Sequence, residues 1–534
     1  MLSVRPLSPS VGTPYLRLVV AGFRQQAAYR LAALAGLVAN TTFGFLKVAL
    51  LLATVQAAGG ELDGYDVGTM SAYVWLSQGL LGSVNLYGRS EMAERIRTGD
   101  VVVDFLRPLD VHAGAVAMEV GRGLFALLPR GVPSVLVGAL VVGMTMPTTP
   151  GPYLLGAVSV LLGITVSAAT AYLVAATGFW LVETRGVALL YMVVAGFLAG
   201  LYVPIAIFPA PLFWLASASP FPSMLMYPVD VLSGRVDGLA SVGLVGIAWR
   251  CRVAESPLAQ PVARPAPHGG VLAPYRAVLA SRIRSQASYR TSFGLDLGSS
   301  LLVGLTELAE VAVLFTSVSA IGGFDLAAML LVFGLADLCF SLADMVVGHC
   351  DNLPEYVRTG RLDVFYLRPQ PLLLQLVTSD ISLRRLARAA VGLVALVVGL
   401  VVNDLAWGAG AVGLLAVALV SGTVTFAALF VWAGGLQFFL VNGSEMTNAF
   451  VYGGRYAATQ PGTVWGRPLV VVFGFFFPMA FTAYLPAATL LGLDTFAGLP
   501  DWAGWLAPVA AVWAWVAAGL SWRTGVRHYQ GAGG

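Results

Sequence analysis

The sequence predicts an all-α polytopic membrane protein of two parallel pseudo-repeats, six transmembrane helices each (6+6), each preceded by an interfacial amphipathic helix. Three observations predict it. The 534-residue chain is 58% hydrophobic and 11% charged at a mean hydropathy of +0.82, where a soluble domain carries about 25% charged residues. Apolar runs long enough to cross a bilayer recur along it. Blocks from the first half also return, in the same order, in the second.

The composition excludes other classes. A net charge of +3 without a charged tail gives nucleic acid no electrostatic footprint, and this apolar content excludes disorder. Cys251, Cys339 and Cys350 are too few for a disulfide framework. His112, His268, His349 and His528 are scattered without metal-ligand spacing, so no metal is expected, and His349-Cys350 reads as the end of a span. Lys47 is the only lysine. A Walker A loop needs Gly-Lys-Ser/Thr, which the chain therefore lacks, and Schiff-base chemistry would fall to Lys47 alone. No acids, histidines or cysteines cluster at catalytic spacing. The chain is expected not to be an enzyme by itself, with no catalytic residue and no cofactor of its own. The opening MLSVRPLSPSVGTPYLRL has no apolar core beside a small-residue cleavage site, and no cleaved signal peptide is read there.

In chain order, an amphipathic stretch comes first, over 14–30. Leu16, Val19, Val20, Phe23 and Ala27 share one helical face, with Arg17, Arg24, Gln25 and Arg30 on the other, as in a helix lying at the lipid surface. Spans follow at 31–57, 67–88, 131–147, 153–182 and 188–208, and then at 293–317, 326–348, 389–403, 410–441, 468–491 and 502–522. A shorter candidate lies at 238–249. Loops between alternate spans hold Glu61, Asp63, Asp66, Asp230, Asp237, Asp325, Asp404, Asp494 and Asp501 against one base, Arg235, while arginines crowd the opposite set. Basic loops stay cytoplasmic, which places both termini and the middle linker in the cytoplasm. The first half then crosses an even number of times, so 238–249 must span, with local thinning of the bilayer. The organisation is a first half at 1–250, a Pro/Ala-rich linker at 251–272 and a second half at 273–534.

The duplication is explicit at an offset of about 260 residues. Pro14-Tyr15 … Arg24-Gln25-Gln26-Ala27-Ala28-Tyr29-Arg30 returns as Pro274-Tyr275 … Arg284-Ser285-Gln286-Ala287-Ser288-Tyr289-Arg290, and Gly64-Tyr65-Asp66 as Gly323-Phe324-Asp325. After the second span of each half, Glu94 … Arg97-Thr98-Gly99 followed by Phe105-Leu106-Arg107-Pro108 returns as Glu355 … Arg358-Thr359-Gly360 followed by Tyr366-Leu367-Arg368-Pro369. An even-span unit keeps its orientation, so the repeats are parallel about an axis along the membrane normal. Gly99 and Gly360 are placed to end a helix in the left-handed conformation. One or two helical turns fit into the next seven residues, and Pro108 and Pro369 suit the first turn of a further helix running along the membrane. The product is a small knob with an apolar ridge (Val103 and Phe105; Val364 and Tyr366), which calls for a partner surface.

These blocks resemble permeases of type-2 ABC exporters (the ABC-2 family), and nearly the whole chain is similar to both members of a two-chain permease pair fused in one polypeptide. Pro204, Pro209 and the Ser219-Pro220-Phe221-Pro222 … Tyr227-Pro228 run carry the likeness in the first half, and Arg527-His528-Tyr529-Gln530-Gly531-Ala532-Gly533-Gly534 at the end of the second. The resemblance implies an exporter permease of the bacterial plasma membrane. Its substrate pathway would run between the halves, and its partners would be separate ATP-hydrolysing (nucleotide-binding) subunits, two copies or two related ones, which use ATP and Mg. The docking residues it implies are Glu94, Arg97, Thr98, Gly99, Phe105, Arg107 and Pro108, with Glu355, Arg358, Thr359, Gly360, Tyr366, Arg368 and Pro369. A short sixth span and a loop at 442–467, longer than its counterpart near Glu183 and Arg185, depart from exact symmetry. The alternative is a 6+6 secondary transporter of major-facilitator architecture, whose loop after the second span is short; here that loop runs from Arg89 to the region of Arg130.

Charges inside a membrane are costly and usually functional. Lys47 and, at the repeat offset, Glu307 both fall mid-span, which leaves two readings: a pair across the pseudo-twofold axis, or Lys47 snorkelling outward with Glu307 paired inside its own half to a hydroxyl such as Thr306. Glu310, Asp337 and Asp344 form a polar stripe of the kind that joins helices. Pro204 and Pro478 bend the fifth spans, which the resemblance makes short re-entrant helices at the outer end of the pathway. Sparse charge favours a hydrophobic or amphipathic cargo.

Overall fold

The computed structural model describes residues 12–236 and 290–529, apart from 29, 89, 106–108, 182–183, 359, 361, 367–370, 380–384 and 440–443. The span candidate 238–249, the linker 251–272 and the second amphipathic copy lie outside the described residues.

The chain is an all-α polytopic membrane protein. In the first half run α1 (Gly12–Ala27), α2 (Arg30–Ala57), α3 (Val67–Leu81), α4 (Glu91–Thr98), α5 (Val101–Phe105), α6 (Val111–Ala126), α7 (Val132–Val141), α8 (Gly151–Ala176), α9 (Arg185–Leu198), α10 (Ala210–Ala218) and α11 (Met226–Leu232). The second half has α12 (Arg290–Phe315), α13 (Leu326–Val347), α14 (Leu353–Arg358), α15 (Asp363–Tyr366), α16 (Leu372–Ser379), α17 (Arg385–Val402), α18 (Ala409–Gln437), α19 (Ser444–Thr447), α20 (Gly453–Ala458), α21 (Arg467–Leu469), α22 (Tyr484–Leu491) and α23 (Ala507–His528). Among the described residues, eight helical stretches are long and apolar enough to cross a membrane.

The repeated Gly-aromatic-Asp block is a hairpin turn followed by a helix cap. Leu62 bridges Tyr65, and β1 (Ala320–Ile321) pairs antiparallel with β2 (Phe324–Asp325). The two central residues of each turn have positive φ, Asp63 and Gly64 in one and Gly322 and Gly323 in the other, the geometry of a tight hairpin turn that favours Gly and Asp. Tyr65 and Phe324 are buried beneath, and the aspartates cap the next helices: Thr69 N donates to Asp66 Oδ1 at 2.7 Å and Ala328 N to Asp325 Oδ1 at 2.8 Å. Bonds from the Thr69 backbone and hydroxyl hold the Asp66 carboxyl below its usual range. That stabilisation is present above the ordinary carboxylate pKa and is lost as pH falls through the lowered one. Asp66→Ala is expected to cost about 1 kcal/mol at neutral pH. Asp66→Asn should keep most of the cap while flattening the acid limb of the melting curve, which thermal melts at neutral and acid pH would check.

Both halves emerge on the same side. Helix α2 packs on β1, just beyond the end of α12, and near its start Gly36 lies against Arg130, which pairs with Glu445, so α2 and α12 rise together to one end of the molecule. From there α3 and α13 return to the opposite end, which carries α4–α5 and α14–α15.

The third crossing is longer than 131–147. Helices α6 and α7 join through a π-helical turn, Leu127–Gly131, into one stretch of 31 residues, Val111–Val141. At 1.5 Å per residue that is about 46 Å, against a hydrocarbon core of about 30 Å, so one end projects from it. Glu119 and Arg122 made this stretch look like loop, yet Arg122 pairs with Glu119 at 2.5 Å and Glu91 at 2.6 Å. The helix expected to run along the membrane is thus continuous with the third span. Helix α1 packs against α6, with Phe23 edge-on to Phe125 at 5.3 Å, and it leaves Leu16 and Val20 outward. Its predicted apolar face is thus divided between protein and surroundings.

The fifth crossings also differ from expectation. The region expected to be a long loop, 442–467, is helical over residues 444–458. Helix α19, the π-helical turn Asn448–Tyr452 and α20 run through it as one element. The predicted span 468–491 is broken instead, into α21 with the π-helix Val470–Phe476, a short 3-10 turn Met479–Phe481, and α22. In the first half α9 stops at Leu198, and Pro204 precedes a 3-10 turn, Ile205–Ile207. Pro204 and Pro478 sit in breaks between short helices, rather than inside bent ones.

Candidate coupling knobs and intramembrane charges

Each knob has a buried anchor and an exposed ridge. Ser90 caps α4 by accepting from Met92 N at 3.2 Å, and Gly99 ends it at φ +85°, where a side chain would be strained. Gly360 holds the same role at φ +68°. Beyond each glycine one residue turns inward, Val101 in one copy and Leu362 in the other, both fully buried. The ridge points out: Phe105 is 58% exposed and Val364 50% exposed, alongside Val102, Val103 and Tyr366.

The two knobs are stiffened differently. In the first, Arg95 donates to Asp104 across the glycine at 2.6 Å, and Thr98 Oγ1 reaches Asp100 at 2.8 Å. Arg97 grips Glu94 through two bonds of 2.9 and 2.6 Å, which hold the Glu94 carboxyl below its usual range. In the second, Tyr529 Oη donates to Asp363 at 2.7 Å and its ring stacks on Tyr366 at 5.6 Å. Glu355 lies in the first turn of α14, which Arg358 closes. Arg107, Pro108, Thr359, Arg368 and Pro369 lie outside the described residues.

Inside the membrane, the predicted Lys47–Glu307 pair is replaced by a different arrangement. Glu307 accepts from Arg388 at 2.9 Å and from Arg455 at 2.6 Å. Arg455 also reaches Asp337, through Nε at 3.1 Å and Nη2. Two acids and two arginines thus neutralise one another within the second half. Arg388 and Arg455 were missed because one opens a span and the other lay in supposed loop. The signal was the charge balance: two mid-membrane acids required two cations. Asp344 is likewise joined to Arg385 at 3.0 Å, so the acidic stripe on α13 does bind helices together.

The halves meet along a seam built from the same elements of each. Helix α2 packs on the α19–α20 element and α9 on α12. Ser299 Oγ donates to Gly186 O at 2.9 Å, and Arg130 pairs with Glu445 at 2.8 Å, both across the seam.

Residues 39–254 and 301–533 both match the family described as ABC-2 family transporter protein. The chain belongs to the ABC-2 transporter family. It carries the ABC-2 unit twice, each copy with its own knob and its own broken fifth crossing, as expected of a fused permease pair. No curated protein and no solved structure matches. As an ABC-2 permease the chain is a multi-pass membrane component of a transporter, and a major-facilitator architecture is set aside.

Proposed function

We propose that this ABC-2 permease forms the substrate pathway of an ATP-driven exporter in the bacterial plasma membrane. Its termini and knobs face the cytoplasm, and two copies of a separate ATP-hydrolysing subunit, using ATP and Mg, dock beneath it. The reading is supported above all by one observation: two knobs of the same design, anchored inside and apolar outside, stand at the same end of two parallel units. A motor of two similar subunits presents two similar sockets, and a pseudo-twofold permease offers one plug to each.

Closure of the motor would press both knobs inward. The push has to pass through short stiff contacts, and the Arg95–Asp104 bridge and the Tyr529–Asp363 bond supply them. The force would reach the seam through α3 and α13, to which the knobs are joined, and part α2 and α12 from their cross-seam partners.

The test is Phe105→Asp combined with Val364→Asp. Both side chains are exposed, so insertion and melting temperature should stay as in the parent chain. Stimulation of the cognate ATPase subunit should fall about tenfold or more, as when an apolar anchor is lost from an interface. Undiminished stimulation would overturn the docking assignment.

A further inference from the structure

Beside the self-neutralised cluster lies a second set of buried charges, and this one is left open. Lys47 on α2 is 5% exposed and Glu310 on α12 is 4% exposed. The two interact electrostatically, yet among the described residues they form no ion pair with each other. The Lys47 ammonium donates instead to the Leu201 carbonyl at 2.6 Å and stands 5.3 Å from the centre of the Tyr202 ring. Glu310 accepts from Tyr456 Oη at 2.6 Å, and the Tyr456 ring lies 6.1 Å from that of Phe43 across the seam.

The placement is specific. Lys47 and Tyr202 belong to the first half, Glu310 and Tyr456 to the second. They come from the first helix of each half and from the fifth crossing of each or the turn just after it, the elements that build the seam. An ammonium has three donors and a carboxylate can accept several hydrogen bonds, so one hydrogen-bond partner apiece leaves both groups with capacity. Buried charges so incompletely served are costly. A structural pair would make a direct ion contact, as Glu307, Arg388, Arg455 and Asp337 do.

We propose that Lys47 and Glu310 are the two poles of a cargo site at the seam, and that the cargo is a zwitterionic amphiphile. Its anionic group takes the free donors of Lys47. Its ammonium lies against Glu310 and the rings of Phe43, Tyr202 and Tyr456, which attract cations by their faces. A singly charged cargo would leave one pole unserved and add net charge to a low-dielectric site, whereas a zwitterion serves both poles and adds none. The apolar remainder of the molecule matches the buried apolar side chains shared by the two halves here, Leu46 with Val311 and Leu51 with Leu314 among them. This deepens the exporter reading, because it rests on the pathway running between the halves.

The experiment uses the full chain in lipid nanodiscs and three probes of equal chain length: dodecylphosphocholine, dodecyltrimethylammonium and dodecyl methyl phosphate, a phosphodiester of single negative charge. The parent chain is expected to bind the zwitterion about tenfold tighter than either singly charged probe, the worth of one charge-assisted hydrogen bond. Lys47→Gln should move the preference to dodecyltrimethylammonium and Glu310→Gln to dodecyl methyl phosphate. Exchanging the poles, Lys47→Glu with Glu310→Lys, should restore the zwitterion. Equal binding of all three probes by the parent overturns the proposal, as does an order of preference that neither glutamine variant changes. Should a glutamine variant fail to fold, Lys47→Arg must retain the zwitterion preference, and its loss there overturns the proposal equally. No ATPase subunit enters the measurement. Lost selectivity with intact ATPase stimulation therefore defeats the cargo site alone, and the converse defeats the docking reading alone.

Discussion

Arg455→Met should destabilise the protein by about 3–5 kcal/mol, the cost of stranding a buried charge without its partner. Arg455 serves Glu307 and Asp337 at once from a buried position. Without it Arg388 remains, at 2.9 Å from Glu307 and 3.5 Å from Asp337, one guanidinium for two carboxylates. Adding Glu307→Gln in the same chain removes the uncompensated charge and should recover most of the loss, because a fully neutralised set can be near equal to the original. Denaturation midpoints of the parent, single and double variants decide it. A single-variant loss below about 1 kcal/mol, the range of exposed ion pairs, would show that these charges are not closed off from water.

The second large effect is steric. Helices α13 and α17 cross so closely that a Cβ on Gly334 would stand 2.2 Å from Leu396 N, and one on Gly399 2.6 Å from Leu331 N. Gly392 makes the reciprocal approach at 2.7 Å from Leu338 N. Backbone meets backbone here, so no side chain can swing aside, and small residues at such crossings are what hold membrane helices together. Gly334→Ala is expected to cost about 3 kcal/mol, the upper range for overpacking. Gly298→Ala on α12, where nothing lies within 4 Å, should stay within about 0.5 kcal/mol. Similar melting shifts for the two alanines would mean that α13 and α17 do not touch as described.

Much of the fold was legible because lipid leaves few options. Long apolar runs had to be helices, and the repeated blocks had to do the same work twice; the Asp66 and Asp325 caps and the Gly99 and Gly360 turns are that work. The misreadings share one cause. Hydropathy assigns every charge to water, so Glu445 and Arg455 turned a helical element into a loop at 442–467. Glu119, Arg122 and Pro129 did the same to the start of the third span. In the folded chain Arg455 and Arg122 are paired, and Pro129 is absorbed by a π-helical turn. The Lys47–Glu307 expectation failed for a related reason. Repeat offset places two residues at equivalent heights, but it does not say which neighbour arrives first, and Arg388 and Arg455 take Glu307 from within its own half. The exposed ridge of each knob was readable from its spacing alone, whereas the seam, assembled from elements far apart in sequence, was not.

The chain owns a single side-chain amine, and it is sealed between the halves. Acylating reagents added to the closed protein will find no lysine to modify, and any conformation that parts the seam will uncover one. Lys47 is thus a solitary chemical reporter of the seam, and if the proposed pathway opens between the halves its labelling rate would count the openings.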